Sequence, residues 1–244
     1  MIYEIEELHP DLIEKASFTK IAFDVGMAID APTSATWLKQ TGSAGDYLVI
    51  GIEPHRGNLQ CLRESRTDTH PPVNFDYLKI NENAIYNNGV KVHEYNPHNL
   101  IVVAAAIDDV EGVEEGVFYE TDSRNIGCSS LLRPTVHLGL TVEKVSRVKK
   151  VSMAEIIERL GIGQIILDSP RAVIAKTDAQ GKDFSVVRSF GKYLASIGRI
   201  QCEYNVGKQY ESPDDQTEFF KFMKDRGYTI MAQDGYDVQF DRPL

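Results

Sequence analysis

Apolar positions in this chain fall into short runs separated by amphipathic stretches. Ile21-Ala22-Phe23-Asp24-Val25-Gly26 is one run, and Tyr47-Leu48-Val49-Ile50-Gly51-Ile52-Glu53-Pro54 is the next. Between them is room for one helix, opening near Pro32 and Ser34 and carrying Trp37 and Leu38. That spacing predicts a β-α-β unit. Leu100 to Ala106 is apolar throughout, as a strand covered on both faces should be, and it runs out at Asp108-Asp109. Val117 to Thr121 and Glu143 to Val151 read as strands around a loop at 123–132 that holds Gly127, Ser129 and Ser130. Ala172 to Thr177 is a further buried strand, ending at Asp178, and Ile200 to Tyr204 is another, with Glu203 near its end.

Helical spacing fills the intervals. Residues 4–17 read as a short acidic helix and 58–65 as a second, followed by a two-proline loop at 68–72. Ala154 to Leu160 is a helix stopped by Gly161. Phe184, Val187, Phe190 and Leu194 lie on one face of a helix over 184–194. Ser212-Pro213-Asp214-Asp215 reads as a helix start, and the helix carries Phe219, Phe222 and Met223 before stopping at Gly227. Short apolar pieces flank Asn88-Gly89, a hairpin dipeptide, so 77–95 reads as an inserted hairpin. Tyr228 to Ala232 and Tyr236 to Phe240 flank Asp234-Gly235 as a closing antiparallel hairpin. The sum is one α/β domain over 1–244. Its expected core is a doubly wound, seven-stranded, mostly parallel sheet with a C-terminal antiparallel hairpin.

Composition narrows the class. At 244 residues, 42% apolar and 25% charged, the chain is long enough for a full core. A net charge of −10 offers no footprint for a phosphate backbone, so nucleic acid is not an expected partner. Lys144, Arg147, Lys149 and Lys150 alternate with valines like the wet face of a strand. Cys61, Cys128 and Cys202 are odd in number and lack C-x-x-C spacing, which argues against a disulfide framework or zinc and for a reducing compartment. Glu4, Glu6 and Glu7 do not suit a signal peptide, and the apolar run at 100–107 is too short for a bilayer. The expectation is a cytoplasmic protein with no membrane partner; a homo-oligomer stays open.

The strand ends carry the chemistry. In a doubly wound sheet ligands bind at the carboxyl ends of the strands, and a carboxylate there, as at Glu53, can accept two hydrogen bonds from a ribose diol. A dinucleotide needs G-x-G-x-x-G so that backbone N–H groups approach its pyrophosphate. Here the stretch reads Gly26-Met27-Ala28-Ile29-Asp30-Ala31. Carboxylates repel a pyrophosphate but suit a ligand bearing an ammonium and a sulfonium, which points to S-adenosylmethionine.

The motifs FDVG (23–26), GIEP (51–54), GCSSL (127–131), VSMAEII (151–157) and KTDAQGKDFSVVRS (176–189) resemble the FkbM family of S-adenosylmethionine-dependent methyltransferases, over roughly 21–240. The resemblance implies a class I methyltransferase fold and methyl transfer to a hydroxyl of a sugar, glycan or small natural product. Where such enzymes place glycines in the first loop, this chain has Ala28 and Asp30, and Gln180 stands where the commoner pattern has glutamate. The expected cofactor site is Asp24, Gly26, Met27, Ala28, Asp30, Glu53, Pro54 and Asp108. Asp178 is the expected base or substrate anchor, Lys176 a partner for a substrate oxygen or an acid, and Glu203 a second carboxylate. No metal is expected. Ser129, Ser130 and Arg133 belong to a loop able to cover the ligand, and the 77–95 and 123–137 segments would set the acceptor. His137 is the histidine of interest; the others read as surface residues. The altered glycine loop leaves a second class open, a non-catalytic relative that keeps the fold and binds the nucleoside. A nicotinamide-dependent dehydrogenase is disfavoured by the missing glycines.

Overall fold

Strands and helices alternate in the first and last parts of the chain, and a run of strands separates these parts. They are β1 (Ile2–Tyr3), β2 (Lys20–Val25), α1 (Pro32–Lys39), β3 (Tyr47–Ile52), α2 (Arg56–Glu64), β4 (Leu78–Asn81), β5 (Ala84–Asn87) and β6 (Val90–Glu94). Then come β7 (Leu100–Val103), β8 (Ala106–Ile107), β9 (Val113–Thr121), β10 (Val142–Val151), α3 (Met153–Arg159), α4 (Gly163–Asp168), β11 (Val173–Thr177) and α5 (Asp183–Arg188). The chain closes with β12 (Arg199–Glu203), α6 (Gln216–Asp225), β13 (Thr229–Gln233) and β14 (Asp237–Asp241). This computed structural model describes all residues except 29–30, 41–45, 65–77, 82–83, 88–89, 122–125, 136–138, 170–171, 205–208 and 244. The 68–72 loop, the Asn88-Gly89 turn, Asp30 and His137 therefore lie outside the described residues.

The main sheet is mixed but mostly parallel, in the order β1-β7-β3-β2-β11-β12-β14-β13. Pairing is parallel from β1 to β12, and β14 runs antiparallel to both β12 and β13. The closing hairpin is thus present. The sheet has eight strands rather than seven, because β1 adds to the edge beside β7.

Alternate residues of each central strand serve opposite faces, as the two-residue period requires. Ile21, Phe23, Val25, Leu48, Ile50 and Ile52 join a core with Ile156, Phe184, Val187, Phe219 and Met223 from α3, α5 and α6. Ala22, Val49, Leu100 and Val102 join a second core with Ala35, Leu38 and Leu59 from α1 and α2. Helices therefore cover both faces. Among the described residues no helix is long and apolar enough to cross a membrane.

Several expected elements differ, each for a local reason. Residues 4–17 form no α-helix; Pro10, which has no N–H to donate, opens a second short 3-10 turn, Pro10–Ile13, after Ile5–Glu7. The 184–194 helix stops at Arg188, and Gly191 at φ 53° redirects the chain into the turn Gly191–Ser196. α6 is capped by Asp215, whose side chain accepts from Glu218 N; Asp214 instead accepts from Ser185 in α5. The inserted hairpin is a three-stranded sheet, β4-β5-β6.

The 100–106 run splits across two sheets. After Val103 it leaves the main sheet, and β8 pairs with β10 in a third sheet, β8-β10-β9. Lys144, Arg147 and Lys150 on β10 meet Glu120, Glu115 and Glu114 of β9, which accounts for the basic stretch as cross-strand ion pairing. This sheet carries Phe118 and, through β8, Ile107 over the ends of the parallel strands.

Candidate functional site

The strands β3, β2 and β11 lie side by side, so their carboxyl ends bring Glu53, Gly26 and Asp178 into one row. A solvent-open cavity of about 680 Å³ opens above them. Val25, Gly26, Ala28, Glu53, Pro54, Asn58, Ala105–Ile107, Phe118, Gly127, Ser129–Leu131, Asp178, Ala179 and Lys182 line it. Of the expected residues, Gly26, Ala28, Glu53, Pro54 and Asp178 share this cavity, and the expected covering loop contributes both serines.

The loop after β2 is held from within. Gly26 and Met27 N–H donate to Ile52 O at 3.0 and 3.4 Å, and Ala28 N–H donates to Glu53 Oε2 at 2.9 Å. Gly26 and Ala28 both take the left-handed conformation, at φ 73° and 59°. For Gly26 this is free of strain, whereas Ala28 adopts a geometry that favours glycine. Met27 turns away from the cavity into the core: a Cβ on Gly51 would sit 2.4 Å from its Sδ.

Glu53 is 4% exposed, and its second oxygen accepts from His55 N–H at 2.8 Å. Burial pushes its carboxyl up to about 7, against the opposing pull of hydrogen bonds from His55, Asn58 and Ala28. Asn58, at 2% exposure, presents a buried Oδ1 with no donor. An unpaired buried acceptor lining a cavity is a place for a ligand's N–H or O–H.

Asp24 does not reach the cavity. Its Oδ2 accepts from Ser34 N and Oγ at 3.0 and 2.6 Å, tying down the first turn of α1, and its Oδ1 lies 3.7 Å from Lys176 Nζ. Lys176 also donates to Gly26 O at 2.9 Å and lies 3.4 Å from Asp178 Oδ2. Burial draws its ammonium down, but Asp178 and Asp24 outweigh it and hold the group above the ordinary lysine range. Lys176 is thus paired with Asp24 and Asp178 at the strand ends. Asp108 sits just outside the cavity between Lys182 and Lys150, at 3.0 and 3.2 Å. Burial raises its carboxyl, yet Lys182 and Lys150 leave it below the usual range.

Glu203 lies behind Asp178. Gln180 Nε2 donates to Asp178 Oδ1 at 2.6 Å and to Glu203 Oε2 at 2.9 Å. Burial, then Asp178 and Asp183, push Glu203 up to about 8. Asp183 is pushed up to about 7 by burial; its Oδ1 accepts from Thr177 Oγ and Ala179 N, while Oδ2 has no partner. Among the described residues no three His, Cys, Asp or Glu side chains are grouped to hold a metal.

Sequence reasoning assigned no role to Asn58, Lys182, Gln180 or Tyr210, although Gln180 and Lys182 lie inside the 176–189 motif. Histidines also divide differently: His55 is buried, with Nδ1 accepting from Asn58 N–H at 3.2 Å and Nε2 3.5 Å from Glu120. Burial holds its imidazole below the usual range. No protein-family model, curated protein or solved structure matches this chain.

Proposed function

We propose that the protein is an S-adenosylmethionine-dependent O-methyltransferase resembling the FkbM family, acting on a hydroxyl of a sugar, glycan or small product. One observation carries the reading. The N–H groups of Gly26, Met27 and Ala28 are spent on Ile52 and Glu53, so none of these three is free to cradle a pyrophosphate. Asn58 Oδ1, a buried acceptor without a donor, stands beside Glu53 in the same cavity instead. The order β7-β3-β2-β11-β12 also supports a doubly wound reading with its switch point at β2, where the cavity lies.

The residues fit this cofactor. Glu53 and Asn58 would take the donors of the ribose and adenine, and Gly26 lets the end of β2 close against Asp178. When bound, S-adenosylmethionine supplies an electrophilic methyl group on a sulfonium. Asp178 accepts the proton leaving the acceptor hydroxyl, with Lys176 balancing its charge. Ser129, Ser130 and Phe118 narrow the cavity and limit water around the reacting oxygen. Asp24 acts at one remove, by orienting Lys176 and α1.

Calorimetric titration with S-adenosylmethionine, S-adenosylhomocysteine and NAD tests the proposal. Binding of the first two and not NAD is expected; preference for NAD would overturn it. Tight binding with no transfer to any hydroxylated acceptor would favour the non-catalytic relative.

A further inference from the structure

Gln180 is held more tightly than a residue at a loop tip requires. Its backbone takes φ 52°, uncommon for a residue with a side chain, and is pinned by Ser130 Oγ donating to its carbonyl at 2.9 Å. Its amide nitrogen reaches one carboxyl on each side, Asp178 and Glu203. Its amide oxygen accepts from the buried Tyr210 hydroxyl at 2.6 Å, and that hydroxyl also lies 2.8 Å from Cys128 O. A non-glycine residue kept in this conformation and committed at both ends of its side chain marks a site where geometry is over-determined.

We propose that Gln180 is a positioning residue: its amide holds Asp178 and Glu203 together as a proton-sharing pair, with the proton on Glu203 and Asp178 left as the base. This deepens the methyl-transfer reading of the cavity and rests on it. Two neighbouring carboxyls do not ionise independently, and the second proton comes off only against the charge of the first. The surroundings sort the two. Lys176 on β11 lies 3.4 Å from Asp178, the member that lines the cavity. Glu203 is faced by Asp183 from α5 and Asp237 from β14, both of which favour its protonated form, as does burial. The neutral Tyr210 hydroxyl completes the shell. A neutral amide can donate to both carboxyls without adding charge. A glutamate at 180 would instead bring a third carboxylate to the pair.

Carbon-13 carboxyl titration by NMR on ligand-free protein, labelled at Asp and Glu, reads the pair directly. The intact protein should show the Glu203 carboxyl titrating at or above neutrality. Gln180→Leu removes both donors, and the Glu203 step should rise by about one pH unit or more, a tenfold change in proton affinity. Gln180→Gly, which relieves the backbone conformation, should do the same if the leucine variant folds poorly. A Glu203 step below neutrality in the intact protein, or an unchanged step in a folded Gln180→Gly protein, would overturn the proposal. Failure of the intact protein to bind S-adenosylmethionine would overturn the methyl-donor reading alone, because the titration needs no ligand.

Discussion

Gly26 is pressed against Asp178: a Cβ on Gly26 would lie 2.1 Å from the Asp178 carbonyl oxygen, well inside van der Waals contact. Asp178 N–H donates to Val25 O at 3.0 Å, so the ends of β2 and β11 are fastened to each other beyond their last paired residues. Gly26→Ala must separate them and place a side chain at φ 73°. A loss on the order of 2–4 kcal/mol is expected in urea unfolding, together with weaker S-adenosylmethionine binding. An unchanged unfolding midpoint would show that the two loops are not fastened.

Glu53→Ala should weaken S-adenosylmethionine by about tenfold or more, because each lost charge-assisted hydrogen bond costs roughly 1.5–3 kcal/mol. Calorimetry at fixed pH gives the answer, and unaltered affinity would displace the ribose from this carboxylate.

Asn58→Leu tests the unpaired acceptor in the cavity. The leucine removes a buried acceptor that lacks a donor in the ligand-free protein. It also removes the amide that donates to buried Glu53, so folding should weaken by about 1–3 kcal/mol while nucleoside affinity falls about tenfold. Parental affinity in the leucine variant would mean that Asn58 Oδ1 meets no ligand donor.

Two buried carboxyls, Glu53 and Asp183, and the half-buried Glu203 make stability fall as pH rises. Glu53 and Asp183 are pushed up to about 7 and Glu203 to about 8, from ordinary values of 4.5, 3.8 and 4.5. Each binds its proton more tightly folded than unfolded, so between about pH 4 and 8 unfolding releases protons. The stability they contribute is full below the unfolded values and is lost as pH climbs through 7 to 8. Urea midpoints across that range should decline, and the Glu203→Gln, Asp183→Asn double variant should flatten the slope. A midpoint rising from pH 5 to 8 would contradict these assignments.

Asp178→Asn keeps the side-chain shape and removes the charge. Folding and cofactor affinity should hold, and turnover on an acceptor found by screening hydroxylated sugars with labelled donor should drop about 10²–10⁴-fold. Methylation at the parental rate would leave Asp178 a structural residue and move the search for the base to Glu203.

Much of the frame was legible in the residue pattern. Largely apolar runs at 21–25, 47–52 and 173–177 became the central strands, because a strand covered on both faces is mostly buried. Acids and glycine directly after those runs marked Glu53, Gly26 and Asp178, since a residue following a parallel strand stands at the ligand-binding edge of the sheet. Local chemistry misled where long-range partners decided. The 100–106 run has one apolar character, yet only β10, distant in sequence, draws Ala106–Ile107 into another sheet. Asp24 and Glu53 look alike as strand-ending acids. Asp24 turns to Ser34 and Lys176 while Glu53 meets Ala28 and the cavity, and this depends on which strand lies alongside each. Gln180 reads as a neutral substitution until Asp178, Glu203 and Tyr210 converge on it from separate elements. Periodicity records which face of an element is buried. The partner that satisfies a buried polar group is chosen in three dimensions, where segments far apart in the chain meet.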